Sequence, residues 1–234
     1  MKKVAIFVEG QTEAIFISEM IKQLFDENKT DIVITKSQRK HERITIDLYT
    51  TTNKNEYYFL ISDCGNDEMV KSKIRDNYDQ LLKAGFIYII GLQDLYNPQR
   101  KKKGIDDSKY RLSINIDLRQ IIPTKIYLAI QETEAWFIAE ETHYQRISQT
   151  LTINIVNSIA GIDIQKDDTE VIPHPTVILD RIYQAGGRKN GYSKNEYIVK
   201  DVVCKLDFCN LYFAVRERNN SLNELLTCLD GLIP

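Results

Sequence analysis

Five acidic residues stand where this chain could do chemistry. In the string VEGQTE, Glu9 and Glu13 flank Gly10 directly after the apolar run VAIFV of residues 4–8. Asp94 follows the apolar stretch FIYIIGLQ, and Glu132 and Glu134 follow KIYLAIQ. Carboxylates gathered at one place repel one another unless a cation joins them, and their hard oxygens suit Mg²⁺ or Mn²⁺. One or two such ions can polarise a phosphodiester, generate hydroxide and stabilise the leaving oxygen, work that requires neither histidine nor cysteine. The pattern therefore points to metal-dependent phosphoryl transfer, with Glu9, Asp94, Glu132 and Glu134 as candidate metal ligands.

Each acid also has a plain structural reading. Glu9 and Glu13 can complement the positive end of a following helix, and Asp94 can be the first polar residue of a loop. Glu132 and Glu134 share a face on an extended chain and diverge on a helix. If a helix begins at Gln131, only one of them points inward. Glu132, nearer the strand end, is then the favoured ligand, with Glu134 a second ligand or a capping acid. The run Arg100-Lys101-Lys102-Lys103 reads as a solvated loop, or as a phosphate contact without base specificity. In GGRKNGYSKNEY (186–197), glycines and Tyr192 accompany Arg188, Lys189 and Lys194. Such a stretch is either a helix–helix turn or a place where backbone approaches a phosphate and one lysine stabilises transition-state charge.

The elements that must position these residues follow from hydrophobic patterning. Residues 4–8 suit a strand buried on both faces that Gly10 breaks, and QTEAIFISEMIKQLFDEN has helical spacing with Thr12 as its cap. Residues 32–36, 44–50 and 56–62 read as further strands, and 68–83 as a helix that stops at Ala84-Gly85. Residues 86–96 and 125–137 predict two more buried strands, and 176–185, 195–207 and 221–229 predict helices. The fold class is α/β: a mostly parallel, Rossmann-like sheet flanked by helices over residues 1–140, and a mainly helical part over 141–234. Three buried strands each deliver carboxylates at their carboxyl ends, where open α/β sheets place ligands.

Composition adds bounds. A chain of 234 residues with 43% hydrophobic content can bury a core without staples. A net charge of -2 gives no global attraction to nucleic acid, so polyanion binding must come from a local patch or from metal ions. The four cysteines form no CxxC pair and the three histidines lie far from them, which disfavours zinc and predicts free, buried thiols. The N-terminal apolar run is too short for a signal peptide or a membrane span, so the expectation is a cytoplasmic protein without membrane contact.

VEGQTE after one apolar strand, and Asp94 at the end of another, resemble the TOPRIM domain of topoisomerases, bacterial primases and OLD-family nucleases, over roughly residues 1–140. GLQDLYNP, AIQETEAWFIAE and GYSK further resemble small TOPRIM-like bacterial proteins encoded beside an ATPase and associated with phage defence. The resemblance implies a TOPRIM-like sheet and a nuclease that uses Mg²⁺ or Mn²⁺. Glu9 matches the motif glutamate, Glu13 the second acid of the OLD-type string, and Asp94 the first aspartate of the TOPRIM pair. Lys194 resembles the lysine that OLD-type nucleases place near the scissile phosphate. Tyr96 stands where the second aspartate belongs, and Asp106, Asp107, Glu132 or Glu134 are the acids able to compensate. One-metal catalysis and loss of activity therefore both stay open. The implied partners are nucleic acid, DNA rather than RNA, and an ATPase, because the chain has no Walker A string of its own; a homo-oligomer is left open.

Two other functions compete. A non-catalytic TOPRIM-like binding or regulatory partner of an ATPase would keep the acids for stability or docking. Nucleotidyl transfer of the primase kind would need a template module for which the chain has no evident room.

Overall fold

The computed structural model describes residues 1–36, 55–95 and 107–233. The expected strand at 44–50, Tyr96, the Arg100–Lys103 run and Asp106 lie outside the described residues, as does the side chain of Asp107.

Among the described residues five strands form one parallel sheet: β1 (Lys2–Val8), β2 (Thr30–Lys36), β3 (Tyr57–Asp63), β4 (Tyr88–Leu95) and β5 (Thr124–Ile130). Their spatial order is β2-β3-β1-β4-β5. Val4 to Val8 of β1 and all of β3 are buried, as continuous apolar runs in the middle of a parallel sheet should be, whereas the edge strand β2 is only half-covered. Val8 stands opposite Asp63 of β3 and opposite Leu92 of β4, so β1 and β3 end level while β4 runs on to Leu95. From β1 the chain runs to the edge strand β2, returns to β3 between the two, then crosses to the other side of β1 for β4 and β5, so the order reverses between β1 and β4. The α/β expectation is met. The third buried strand, however, ends at Ile130 and not at 137, because Gln131 takes a left-handed backbone (φ 66°) that no strand continues through.

Contacts divide the chain into two compact units. Among the described residues, the first holds 1–36, 55–93 and 107–128, and the second holds Asp94, Leu95 and 129–233. In the first unit, α1 (Gln11–Leu24) and α2 (Asp67–Lys83) bury Phe16, Ile17, Met20, Val70, Ile74 and Tyr78. Gly91 of β4 has no room for a side chain, since a Cβ there would lie 2.7 Å from Ile126 of β5 and 3.1 Å from Val70 of α2. A short helix, α3 (Asp107–Asn115), leads to β5, where Asn115 bonds both the N–H and the carbonyl of Ile126.

The second unit is built of helices. These are α4 (Glu134–Ala139), α5 (Tyr144–Ile147), α6 (Ile153–Ala160), α7 (Pro175–Ala185), α8 (Glu196–Val203), α9 (Phe208–Phe213) and α10 (Asn220–Asp230). Their caps follow sequence chemistry: the side chains of Thr152, Asn195 and Asp207 accept from first-turn N–H groups, and Gly161 ends α6 in a left-handed conformation. Two buried carboxylates serve as hubs. Glu140 accepts from the N–H groups of Thr142, His143 and Asp207, the Thr142 hydroxyl and the Asn210 amide. Glu170 accepts from the Trp136 indole and from Ser221. A buried carboxylate is tolerated only with such a set of donors. No described helix is long and apolar enough to cross a membrane.

Candidate active site

The end of β5 turns sharply into α4. Gln131 is left-handed, Glu132 closes a tight turn onto Ile130, and α4 begins at Glu134 with the Trp136 N–H bonded to the Thr133 carbonyl. Two acids flank that turn, and both reach the same cation. Lys194 Nζ lies 3.4 Å from Glu132 Oε1 and 3.3 Å from Glu134 Oε2. Asp94 Oδ2 of β4 is 3.8 Å from the same nitrogen. The sequence pattern allowed only one of the two glutamates to point inward if a helix began at Gln131. Both converge because Glu132 precedes the helix and the left-handed Gln131 reorients it.

Each glutamate commits its other oxygen to a fixed donor. Glu132 Oε2 accepts from the Thr176 N–H at 3.0 Å and the Thr176 hydroxyl at 2.8 Å, at the first turn of α7. A carboxylate there also complements the helix dipole. Glu134 is fully buried, and its Oε1 accepts from the Tyr192 hydroxyl at 2.9 Å. Tyr192 is in turn anchored by its N–H to Asp180 Oδ1, 2.9 Å, and by an edge contact to the Tyr183 ring, 6.2 Å between centroids. Gly191 makes this possible: it is left-handed at φ 47°, and a Cβ would sit 1.9 Å from Asp180 Oδ1. His174, two residues before Thr176, is the second left-handed non-glycine residue beside the cluster (φ 54°). Backbone held in such conformations is a feature of functional sites.

Asp94, Glu132, Glu134 and Lys194 are thus brought together within the second unit. Thr176 and the positioning role of Tyr192 were not legible in the sequence; the only signals were Pro175 at a helix start and Gly191 before the aromatic ring. Three carboxylates presenting one oxygen each match the donor chemistry of Mg²⁺ or Mn²⁺. Their oxygens lie 3.3–3.8 Å from Nζ, ion-pair distances longer than a direct ammonium hydrogen bond, whereas a hard divalent ion draws oxygens to about 2.0–2.6 Å. Accordingly, among the described residues no three histidine, cysteine, aspartate or glutamate side chains stand close enough together to enclose a metal ion.

The first unit holds the other expected acids. Glu9 directly follows β1 and is half-buried, and Glu13 is buried in the first turn of α1. Gly10 is extended (φ -156°), so its contribution is space: a Cβ would come within 3.3 Å of Glu13 Oε2, which folds back over it. Thr12, expected as the helix cap, lies inside the first turn; Gly10 is the cap residue and no side chain caps the helix. Asp63, the last residue of β3, was overlooked, although EYYFLISD ends on an acid just as the other buried strands do. Its Oδ1 accepts from the Gly65 N–H at 2.9 Å. Lys73 of α2 is fully buried. Burial pushes the Cys64 thiol up to about 12, the Asp63 carboxylate adds to that, Lys73 opposes it, and Glu9 raises it slightly further. Glu9, Asp63 and Lys73 therefore share one electrostatic neighbourhood. Cys64 is the buried thiol expected, but Cys204 and Cys209 are exposed and Cys228 half-buried.

Neither a curated protein nor a solved structure matches the chain. A family model described as a domain of unknown function (DUF4276) matches residues 8–208, from the last residue of β1 to the first of α9. That span includes every candidate residue named above. The chain belongs to the DUF4276 family.

Proposed function

We propose that this protein is a divalent-metal-dependent nuclease that cleaves phosphodiester bonds, DNA rather than RNA, as the effector of a phage-defence system that works with an ATPase. The observation that carries the reading is the convergence of Asp94, Glu132 and Glu134 on the ammonium of Lys194. The resemblance of VEGQTE, GLQDLYNP and GYSK to TOPRIM and OLD-type strings supports it, and supplies the defence setting and the ATPase. In this reading Asp94, Glu132 and Glu134 hold Mg²⁺ or Mn²⁺, Thr176 and Tyr192 fix the two glutamates, and Lys194 stabilises charge on the reacting phosphate. When bound, the ion would polarise the phosphodiester and lower the pKa of a water nucleophile.

The test is cleavage of labelled single- and double-stranded DNA and of RNA with Mg²⁺ or Mn²⁺, alone and with the ATPase encoded beside it, comparing wild type with Asp94→Asn and Glu132→Gln. The reading expects cleavage by wild type and a loss of about a hundredfold or more in either variant. Intact substrates under all conditions would remove it.

One observation favours a second reading, a non-catalytic partner of an ATPase. Glu132 is already satisfied as the anion at the start of α7, through both donors of Thr176. On that reading Glu132→Gln lowers the melting temperature while biological activity persists.

A further inference from the structure

We infer that the second unit carries a binding pocket for the phosphate of a nucleotide, built by Arg188 and Lys205 around Asp201. The pocket has a volume of about 320 Å³. It is lined by Ile147 at the end of α5, the Gly186-Gly187-Arg188 turn after α7, Asp201 of α8 and Lys205 just beyond that helix. None of these residues belongs to the carboxylate cluster, so the inference stands apart from the nuclease reading.

The charge of the pocket is unbalanced. Asp201 Oδ2 pairs with Arg188 Nη2 at 2.8 Å, while the Lys205 ammonium donates to Asp201 Oδ1 and, at 2.9 Å, to the Asp201 carbonyl. Burial pushes the Asp201 carboxyl up, but the bonds and charges of Lys205 and Arg188 outweigh burial and hold it below its ordinary value, so it is ionised at neutral pH. One negative charge thus faces two positive ones, on side chains that are only 25–35% exposed. An excess positive charge partly shielded from water favours an anion.

Donors are left over as well. A guanidinium carries five N–H donors and an ammonium three. Among the described residues Arg188 meets a carboxylate only through Nη2, which leaves Nε and Nη1 for a ligand. Lys205 keeps one N–H beyond the two that Asp201 takes. The guanidinium is held by Asp201 and by the buried Tyr183 ring, whose centroid is 5.8 Å from its carbon. A fork fixed in this way is suited to bidentate recognition of phosphate. Gly186 and Gly187 use their own N–H groups on the Ile182 and Gln184 carbonyls, so the two cations must supply the contacts to an anion. The glycines contribute a bare wall: Gly187 is left-handed (φ 85°), and a Cβ on Gly186 would lie 2.8 Å from Leu151. The volume is at the small end for small-molecule sites and larger than a phosphate alone fills, and Ile147 offers an apolar side to a sugar or base. These features fit a nucleoside monophosphate, free or at the end of a strand.

The experiment is NMR titration of the full chain with divalent ions chelated, so that no cleavage intervenes. The probes are adenosine monophosphate, adenosine, inorganic phosphate and a 5′-phosphorylated oligonucleotide. Adenosine monophosphate should give saturable shifts at Gly186, Gly187, Lys205 and the Arg188 Nε–H. Adenosine should bind about tenfold or more weakly, because the charge-assisted bonds are lost, and inorganic phosphate should also bind more weakly than the nucleotide. Arg188→Met, shown by circular dichroism to be folded, should lose about tenfold or more in affinity for the nucleotide, and Arg188→Lys, which keeps the charge without the fork, should fall between it and wild type. The wild-type shifts test the inference even where a variant fails to fold. Tighter binding of the oligonucleotide than of the free nucleotide assigns the pocket to strand ends and the reverse order to free nucleotide, and both uphold the inference. No shifts at these residues, or adenosine or inorganic phosphate binding as tightly as the nucleotide, overturns it. The cleavage test of the nuclease reading is decided separately from every one of these outcomes.

Discussion

The Tyr192 hydroxyl donates to Glu134 Oε1 across 2.9 Å, tying a ring from the loop before α8 to a carboxylate at the first position of α4. Both groups are buried, so the bond sets the direction of a charge that water cannot reorient. Glu134 Oε2 is thereby fixed toward Lys194.

Tyr192→Phe removes that donor and little else. We expect a loss of about 1–3 kcal/mol of stability in urea unfolding, since a buried carboxylate gives up one of its hydrogen bonds. Divalent-ion affinity should fall about tenfold, as it does when a partner that orients a ligand is lost. An unchanged denaturation midpoint would mean that the hydroxyl does not hold Glu134.

Gly91 predicts an effect on the first unit alone. Gly91→Ala places a methyl 2.7 Å from Ile126 and 3.1 Å from Val70. Overpacking of this kind costs about 1–3 kcal/mol. Thermal melting would show it, and a neutral substitution would contradict the close β4–β5 approach.

Glu140 contributes to the acid limb of stability. Burial pushes its carboxyl up, but the hydrogen bond and charge of His143 and the bonds from Thr142 and Asn210 outweigh burial and hold it at about 2 against an ordinary 4.5. A carboxylate whose folded pKa is depressed stabilises the fold fully above the unfolded value and loses that contribution as pH falls through the folded one. The window is therefore from about 4.5 down to about 2. The contribution at neutral pH is on the order of 3 kcal/mol. Glu140→Gln should lower stability at pH 7 and flatten its decline across that window, as followed by urea titration at several pH values.

The cysteines make a chemical prediction. Cys64 is buried with its thiol pushed up to about 12, whereas Cys204 and Cys209 are exposed. Alkylation of native protein at pH 8 should therefore label Cys204 and Cys209 within minutes and reach Cys64 only on unfolding. Equal rates would contradict the buried environment at the end of β3.

Much of the architecture was legible because the strands are nearly continuous apolar runs. VAIFV, YYFLIS and the stretch before Asp94 became β1, β3 and β4, and helices expected at 68–83 and 176–185 appear at Asp67–Lys83 and Pro175–Ala185. The end of β5 was not legible, because the strand stops at a residue, Gln131, whose side chain gives no turn signal and whose left-handed backbone is imposed by its surroundings. The convergence of Glu132, Glu134 and Asp94 on Lys194 was foreseen as a set of candidate residues, but not as an ion cluster. Lys194 lies 60 residues beyond Glu134, and no sequence pattern specifies a contact of that separation. Thr176 went unnoticed for a similar reason: a threonine in the first turn of a helix reads as local capping, while its partner Glu132 is 44 residues away.

The central claim is that Asp94, Glu132 and Glu134 hold a divalent cation. The most direct measurement is anomalous diffraction at the manganese edge from crystals of the wild-type protein grown with Mn²⁺. The account predicts a single strong peak about 2.0–2.3 Å from Asp94 Oδ2, Glu132 Oε1 and Glu134 Oε2, with the Lys194 ammonium withdrawn from its present contacts. Crystals that show no such peak at saturating Mn²⁺, with Lys194 still seated among the three carboxylates, would contradict it.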